Sequence, residues 1–197
     1  MDIKGIHQHI CYEKNVNTKE YWNKKHAPYS KGKLPNRKLL SIITKHIDVN
    51  ENVLNIGCSK GNLCNYFLSS CGSRAYGIDI SSKAIFLARK NYPRINFKIA
   101  SIDKIPFDTN FFSLVVSIET LEHSNDIFSA VCELIRVLKD DGKIVLIVPN
   151  KAPNKKHNWI FTEKGILNLF KHTGMKVKTS IIKNRDGVGK WILAVIH

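Results

Sequence analysis

The sequence lacks the features of a membrane or secreted protein. None of its 197 residues belongs to a run of 18 uncharged apolar residues, and the amino terminus has no apolar run behind a basic start. We therefore expect neither a membrane span nor a signal peptide. The five cysteines form no CxxC pair and are odd in number, which argues against a disulfide framework and a structural zinc site. These absences favour a cytoplasmic location.

Acidic residues are also scarce, since 16 Asp and Glu stand against 31 Lys and Arg and give a formal net charge of +15. The excess lies in the flanks: nine basic residues against three acidic ones over 1–38, and ten against two over 151–197. Such flanks suit RNA or another anionic partner. Alternatively they reflect composition alone, because 25 of the basic residues are Lys and only 6 are Arg, whereas phosphate-binding sites favour the planar fork of Arg.

The order of the apolar segments predicts one α/β domain. A chain of this length buries one sizeable core. From residue 52 onward, short runs rich in Ile, Val and Leu alternate with amphipathic segments, which is typical of a parallel sheet with helices on both faces. The predicted strands are "NVLNI", "RAYGIDI", "INFKIA", "FFSLVVSI" and "GKIVLIVPN", and the predicted helices are "NLCNYFLSS", "SSKAIFLARKNY", "NDIFSAVCELIRVLK" and "TEKGILNLFKHTG".

The two ends of the chain differ from this alternating pattern. The segments "MKVKTSIIK" and "KWILAVIH" flank an Asp-Gly turn signal in "NRDGVG", which predicts a closing hairpin. We therefore predict an α/β fold with a Rossmann-like, seven-stranded, mostly parallel sheet, a C-terminal antiparallel hairpin strand and helices on both faces. Residues 1–34 are expected to form a lid over the carboxyl edge of the sheet, where ligands bind in such folds, and residues 35–197 to form the domain itself.

The segment "VLNIGCSKGNL" predicts a loop that binds a nucleoside cofactor. Gly57 and Gly61 follow the first predicted strand, where a tight turn lets polar groups of a ligand approach the backbone and the next helix. Asp79 ends the following strand, where a carboxylate can accept both hydroxyls of a ribose. The loop lacks the third glycine of a dinucleotide-binding loop and the GK[ST] of a triphosphate-binding loop. S-adenosylmethionine, which has no pyrophosphate, fits these features.

Four segments make the chain resemble the class I S-adenosylmethionine-dependent methyltransferases, in particular the small type 11 and ubiquinone-biosynthesis O-methyltransferase-like members. The resemblance covers roughly residues 35–197 and rests on "VLNIGCSKGNL", "YGIDIS", "KIPFDTNFFSLVVSIETLEH" and "RVLKDDGKIVLIVPN". It implies that the loop glycines pack against the methionine part of the cofactor, that the acid ending the second strand holds the ribose, and that the next residue packs on adenine. The cofactor-binding residues that it implies are Asn55, Gly57, Cys58, Gly61, Asp79, Ile80, Ser101, Ile102 and Ser117.

The chain departs from the family pattern at four positions. Asn55 replaces an acid that usually orients the ammonium group of the cofactor, and we expect weaker binding because charge-assisted hydrogen bonds are about twice as strong as neutral ones. Ser59 stands where a second loop glycine is usual, and Ser101 where an Asp usually accepts from the adenine amino group. Asp103 could replace that Asp only if the loop shifts. Ser113 stands where an Asp is usual before the fourth strand.

The segment "IETLEH" carries the candidate catalytic and metal-binding residues. Glu119, Glu122 and His123 are spaced i, i+3, i+4, so they would share one face of a helical turn. The pattern resembles the metal ligands of the small-RNA 2′-O-methyltransferases and of the ubiquinone O-methyltransferases, and His157 is the candidate further ligand of Mg²⁺ or Mn²⁺. In the alternative without a metal, these residues only line the cleft. His123 or Glu122 would then be the general base for an acceptor that needs deprotonation.

Three functions remain open. The first is methyl transfer from S-adenosylmethionine to an oxygen or nitrogen nucleophile of a small molecule, favoured because no separate target-recognition domain is visible. The second is RNA methylation, favoured by the basic flanks and the ExxEH pattern. The third is a degenerate methyltransferase fold that binds a ligand or partner without catalysis, motivated by the departures at Asn55, Ser59 and Ser101.

Two aromatic pairs have alternative roles. Tyr21 and Trp22 either fold over the cofactor or substrate, or only pack within an amphipathic helix. Trp159 and Phe161 either line a substrate pocket or only anchor the helix that follows.

Overall fold

The computed structural model describes residues 4–8, 18–25, 34–151, 156–183 and 189–197. A seven-stranded sheet has the strand order β4-β3-β2-β5-β6-β9-β8. Strands β2 to β6 are mutually parallel, β9 is antiparallel to β6, and β8 is antiparallel to β9. The bounds are Asn52–Ile56 (β2), Arg74–Asp79 (β3), Asn96–Ile99 (β4), Phe112–Ile118 (β5), Leu138–Pro149 (β6), Val177–Lys183 (β8) and Lys190–Ile196 (β9). This arrangement confirms the predicted fold, while the predicted Asp-Gly turn at 186–187 lies outside the described residues.

Helices cover both faces of this sheet. One face carries α2 (Arg37–Thr44), α3 (Asn62–Cys71) and α4 (Ser82–Asn91), and the other carries α5 (Ile127–Arg136) and α6 (Glu163–Phe170). Four of these helices begin at a side chain that accepts a hydrogen bond from a first-turn N–H group, namely Asn36, Ser81, Asp126 and Thr162. Because both faces are covered, β2 and β5 are buried along most of their length, as their continuous apolar sequences predict.

Strand β6 begins earlier than the sequence predicts. We expected a helix as far as Lys139 and a strand from Gly142, but α5 ends at Arg136 and the strand starts at Leu138. The register with β5 shifts between Phe112 and Leu114. The sequence predicts a turn at the polar residues 139–141. The irregularity lets these residues remain within the strand, which it bends.

The amino-terminal segment contributes two short elements outside the main sheet. Strand β1 (Ile6–Gln8) pairs antiparallel with β7 (Trp159–Phe161), and helix α1 spans Lys19–Lys25. Of the predicted lid over residues 1–34, the structure describes only these elements and their immediate neighbours. Among the described helices, none has the length and apolarity needed to cross a membrane.

Candidate active site

The predicted site residues lie at one edge of the sheet. Parallel strands β2, β3, β4 and β5 end at this edge, which places the segments that follow them side by side. The glycine loop follows β2, Asp79 ends β3, Ser101 follows β4, and Glu119 begins the turn after β5. Residues distant in the sequence are therefore brought together by the topology of the sheet.

The glycine loop is shaped by left-handed backbone and close packing. Gly57 has a φ of 69° and Gly61 a φ of 83°. A Cβ atom at Gly57 would overlap the side chain of Thr120, and one at Gly61 would lie 2.6 Å from Cζ of Phe97. Between the two glycines, Ser59 also has a positive φ, of 51°. Both glycines are thus required by the fold of the loop itself, independently of a ligand.

Asp79 is held in a fixed orientation at the mouth of this loop. Its Oδ2 accepts a hydrogen bond from the backbone N–H of Ser59 at 2.9 Å, and its Oδ1 accepts one from the N–H of Ser81 at 2.8 Å. An ionised carboxylate has about four lone-pair sites, so each oxygen retains capacity for a further donor such as a ribose hydroxyl. Ser81 is also the N-cap of α4. Asp79 therefore supports the N-terminus of α4 through Ser81, and this contact is compatible with its predicted role of accepting the hydroxyls of a ribose.

Two adjoining cavities open at this edge. Both are bounded by Gly57, Ser59, Ile118 and Glu119. The first, of about 170 Å³, is completed by Trp22, Ile56, Asp79, Ile80, Ala100, Ser101, Ile102, Thr120, His123 and Asn125. The second, of about 310 Å³, is completed by Pro35, Asn36, Leu39, Asn55, Cys58, Lys60, Asn62, Leu63 and Trp191.

Seven of the nine predicted cofactor-binding residues line one or both cavities, and two do not. Gly61 packs against Phe97. Ser117 precedes the cavity-lining Ile118, and its Oγ is buried without a hydrogen-bond partner among the described residues. Burial raises the pKa of the Cys58 thiol, so this residue presents a neutral thiol rather than a thiolate.

Ser101 and Ser113, two of the departures from the family pattern, each form a hydrogen bond within the fold. The hydroxyl of Ser101 donates to Oδ2 of Asp103 at 3.0 Å, and the same oxygen accepts the N–H of Asn125 at 3.2 Å. Asp103 itself is not among the residues that line either cavity, so it supports Ser101 rather than replacing it there. The hydroxyl of Ser113 donates to the carbonyl of Asn52 at 3.1 Å and joins β5 to β2.

The turn after β5 differs from the predicted helical face. Glu119 has a φ of 49°, and only the next residues, Leu121–His123, form a single 3₁₀ turn. The prediction that Glu119, Glu122 and His123 share one helical face is therefore wrong, because the left-handed residue breaks the helical spacing. Instead, ligand atoms of Glu122, His123 and His157 lie within 4.8 Å of one another, and Glu119 is outside this group.

Burial controls the protonation of this group. Glu122 is 1% exposed, and neither of its carboxylate oxygens has a hydrogen-bond partner among the described residues. Burial, with a smaller contribution from the charge of Glu119, raises the pKa of Glu122 to about 8. Burial lowers the pKa of His123 to about 4. Without a bound cation, Glu122 is therefore mostly protonated and His123 neutral at pH 7.

The two predicted catalytic residues differ in their access to the cavity. His123 lines the first cavity, whereas Glu122 lies behind it. Nδ1 of His123 is 2.8 Å from the carbonyl oxygen of Lys156. This oxygen can only accept, so Nδ1 carries the proton and Nε2 is the nitrogen that can accept one or bind a cation.

Sequence reasoning missed the contacts by which Asn158 and Trp159 hold the turn after β5 in place. The N–H of Asn158 donates to the Glu122 carbonyl at 2.9 Å, and Nε1 of Trp159 donates to the Ser124 carbonyl at 2.8 Å. Phe161 is fully buried in the core. Neither Trp159 nor Phe161 lines the two cavities, and the Trp159 contact anchors the turn after β5 rather than the helix that follows. The same segment brings the His157 ring to 5.2 Å from the His123 ring, centroid to centroid.

Among the described residues of the amino-terminal segment, Trp22 reaches the site. It lines the first cavity, and its ring centroid lies 5.0 Å from that of His123 in an edge-to-face arrangement. Tyr21 packs against Trp22 at 5.2 Å. Trp22 therefore forms part of the cavity wall, whereas Tyr21 supports it.

Comparisons with known sequences identify a methyltransferase domain. Residues 54–146 match the family model Methyltransf_11, described as a methyltransferase domain. Over 190 residues the chain is 30% identical to an uncharacterized protein of Methanocaldococcus jannaschii, which covers 93% of this chain and 69% of that protein. Over 107 residues it is 34% identical to the ubiquinone biosynthesis O-methyltransferase of Pelagibacter ubique, which covers 52% of this chain and 44% of that enzyme. The chain thus matches less than half the length of the second relative.

A solved structure shares the fold at low sequence identity. The complex of Haemonchus contortus phosphoethanolamine N-methyltransferase 2 with phosphomonomethylethanolamine and S-adenosylhomocysteine superposes with a TM-score of 0.76 at 13% identity, covering 95% of this chain and 60% of that chain. This likeness shows the shared fold. The sequence matches, on a chain with this strand order, show that it belongs to the class I S-adenosylmethionine-dependent methyltransferases.

Proposed function

We propose that the protein transfers a methyl group from S-adenosylmethionine to an oxygen or nitrogen nucleophile of a small molecule, in the cavity between Asp79 and His123. The observation that carries this proposal is the Asp79 carboxylate, which two backbone N–H groups hold at the cavity wall. A carboxylate already held in this way can receive ribose hydroxyls with little reorganisation.

When bound, S-adenosylmethionine supplies a methyl group already activated on a sulfonium. The chain itself mainly has to align the acceptor with that group and exclude water. Trp22 and Ile118 provide apolar wall for this purpose. His123 faces the same space as a neutral imidazole with its proton on Nδ1, so its Nε2 can take a proton from the acceptor. Glu122 is buried behind the wall, and we assign it a supporting role rather than that of the base.

Calorimetry with S-adenosylmethionine tests this proposal. We expect saturable heat with the unmodified chain and at least ten-fold weaker binding for Asp79→Ala. Asp140→Ala is the matched control, because Asp140 is exposed on β6 and outside both cavities. If the unmodified chain gives no heat at high micromolar cofactor, the catalytic proposal fails and a fold that binds without catalysis becomes the better description.

We further propose that Glu122, His123 and His157 bind a divalent cation. A buried carboxylate with two unpartnered oxygens beside two imidazoles is a donor set that suits a cation. Imidazole is a ligand for transition metals such as Zn²⁺ and Fe²⁺, whereas Mg²⁺ prefers oxygen ligands. Of the two predicted ions, Mn²⁺ is the transition metal and is therefore the probe used for this site. These side chains would hold the ion, and its chemistry would be to lower the pKa of an acceptor hydroxyl. Nε2 of His123 would then bind the ion, and the ion would replace His123 in promoting deprotonation of the acceptor.

Metal analysis of the purified protein and titration with Mn²⁺ test the cation site. We expect one ion per chain and a higher melting temperature with Mn²⁺ that Glu122→Gln removes. Glu163→Gln, outside this group, should retain both. An unchanged melting temperature in the presence of Mn²⁺ would exclude the site.

The basic flanks keep RNA as a second candidate acceptor. Lys156, in the Lys- and Arg-rich segment 151–197, lies next to the cavity, where its backbone carbonyl oxygen is 2.8 Å from Nδ1 of His123. A single-stranded RNA oligonucleotide should then bind with an affinity that falls steeply between 50 and 200 mM salt, by about 300-fold or more if at least six phosphates are contacted. No binding at 50 mM salt would leave the small-molecule proposal alone.

A further inference from the structure

Helix α1 is attached to the domain through the side chain of Asn23. The amide oxygen of Asn23 accepts hydrogen bonds from Oγ of Ser81 at 2.8 Å and from the N–H of Lys83 at 3.1 Å. Its amide nitrogen donates to Oγ of Ser82 at 3.2 Å. One side chain therefore contacts three successive residues at the start of α4. An amide is suited to this position because it offers both an acceptor and donors.

Ser81 connects this contact to the cofactor side of the site. Its side chain is fully buried, donates to Asn23, and accepts the N–H of Ala84 at 3.1 Å. Its backbone N–H donates to Asp79, whose other oxygen holds the N–H of Ser59. A continuous series of hydrogen bonds thus runs from the glycine loop through the ribose-binding acid to α1.

Helix α1 is short and only partly buried. The helix has seven residues, and none of them is fully buried. A helix this short is not stable alone in water, so tertiary contacts must fix it. Trp22, adjacent to Asn23, nevertheless forms a cavity wall and contacts the ring of His123.

We propose that Asn23 is a positioning residue that holds Trp22 in place in the wall of the first cavity, and that Trp22 is consequently a specificity-determining residue. This inference rests on the proposed methyl transfer in the same cavity. The acceptor has to fit in this cavity against the surface that the indole of Trp22 forms with the ring of His123. Losing the Asn23 contact would leave Asp79 and the glycine loop intact but would release that wall.

Tryptophan fluorescence tests this inference without knowledge of the acceptor. The chain has three tryptophans, and Trp22→Phe identifies the part of the signal that comes from position 22. We expect cofactor binding to change the Trp22 signal in the unmodified chain. In Asn23→Ala this change should be lost, while calorimetry shows a cofactor dissociation constant within about three-fold of the original. Lys24→Ala, on the exposed side of the same helix, should behave like the unmodified chain.

The combined measurements separate the inference from the function on which it rests. Cofactor heat in Asn23→Ala together with an unchanged Trp22 response would overturn the positioning role alone. Absence of heat with the unmodified chain would overturn the proposed function and this inference with it. Asn23→Asp provides a graded test, because it keeps the acceptor for Ser81 but loses the donor to Ser82, and it should retain part of the Trp22 response.

Discussion

Ser59 adopts a backbone conformation that glycine tolerates better. Its φ of 51° places it in the left-handed region, which costs a residue with a side chain about 1–2 kcal/mol. The hydrogen bond from its N–H to Asp79 does not need the side chain. We therefore expect Ser59→Gly to stabilise the fold by about 1 kcal/mol and to raise the melting temperature by about 2–4 °C, measured by calorimetric unfolding.

The same chemical change in a helix is the control for Ser59. Ser69 is exposed within α3, where replacement by Gly costs backbone entropy, so Ser69→Gly should lower the melting temperature. If Ser59→Gly also lowers it, the left-handed backbone is not the dominant energetic feature of the loop.

We propose that Asn55 sets the strength with which the loop holds the ammonium group of the cofactor. Its side chain is 4% exposed and lines the second cavity. We expect Asn55→Asp to tighten S-adenosylmethionine binding about five-fold, which corresponds to about 1 kcal/mol for converting a neutral hydrogen bond into a charge-assisted one. The cofactor-free variant should be less stable, because the carboxylate is buried without its partner. Titration calorimetry measures the affinity and thermal unfolding the stability.

Asn52→Asp separates a local from a general effect of added charge. Asn52 begins the same strand at its opposite end, where its amide donates to the carbonyl of Phe111 at 3.1 Å. This variant should leave the cofactor affinity unchanged. Equal tightening in both variants would show that the gain does not come from the ammonium group.

Single residues of the site were predictable only where the surrounding strand fixed them. Asp79 was found from sequence because it ends a strongly apolar strand at a set distance from the loop. The sequence wrongly grouped Glu119 with Glu122. The positive φ at Glu119 that separates them leaves no mark in the sequence. The proximity of Trp22 to His123 depends on the Asn23 contact, which links residues 58 to 60 positions apart.

Helix α5 holds the loop that carries the predicted adenine-binding residues. Oε2 of Glu133 accepts the N–H of Ile105 at 2.6 Å, and the guanidinium of Arg136 donates to the carbonyls of Ile105 and Phe107 at 2.8 Å each. Glu133 and Arg136 also pair with each other at 2.6 Å. The pair therefore fixes the segment between β4 and β5, which starts at Ser101.

Stability should depend on pH through Glu133. The hydrogen bond from Arg136 lowers the pKa of this carboxyl below its usual 4.5. A carboxyl with a lower pKa in the folded state stabilises the fold above its unfolded-state pKa, and this contribution is lost as the pH falls through the folded-state pKa. We expect Glu133→Gln to cost about 1–2 kcal/mol at pH 7, and the difference from the unmodified chain to shrink below pH 4.5. Urea unfolding at several pH values measures it.

A more exposed pair provides the comparison for Glu133. Glu51 and Lys139 are 2.7 Å apart, with side chains 37% and 36% exposed. Exposed pairs contribute about 0–1 kcal/mol, so Glu51→Gln should have a smaller effect at pH 7. An effect as large as that of Glu133→Gln would show that burial does not distinguish the two pairs.

Elements were predictable in proportion to their length and apolar pattern. The central strands and the helices beside them follow from runs of apolar residues long enough to show a period. Strands β1 and β7 have three residues each, too few to establish alternation, and they pair across about 150 positions. The long β6 was shortened in the prediction because Asp140, Asp141 and Gly142 resemble a turn.

At the scale of the molecule, the amino-terminal residues 4–8 pack against β7 and α6. The carbonyl of Gly5 accepts hydrogen bonds from the N–H of Thr162 at 3.1 Å and from its hydroxyl at 2.9 Å. Ile6 is 3% exposed in the core cluster that includes Phe161 and Ile166. The amide of Asn168 donates to the carbonyl of Lys4 at 2.7 Å. Strand β1 is therefore an integral part of the fold.

Gly165 makes this contact possible, because a Cβ atom there would overlap the backbone of Gly5. In an ordinary helix Gly→Ala stabilises by about 1 kcal/mol, but here the added methyl must displace β1. Displacing β1 exposes Ile6, whose burial contributes about 2 kcal/mol. We therefore expect Gly165→Ala to be net destabilising and to speed hydrogen exchange over residues 4–8. Ile6→Ala should produce the same release of β1, so the double variant should be less destabilised than the sum of the two single variants.

Faster exchange confined to residues 4–8 would mean that the strand docks on a domain that is already folded. Faster exchange across α6 and β7 as well would mean that β1 folds as one unit with these two elements. Greater stability of the variant, with the amides of β1 still protected, would contradict the overlap.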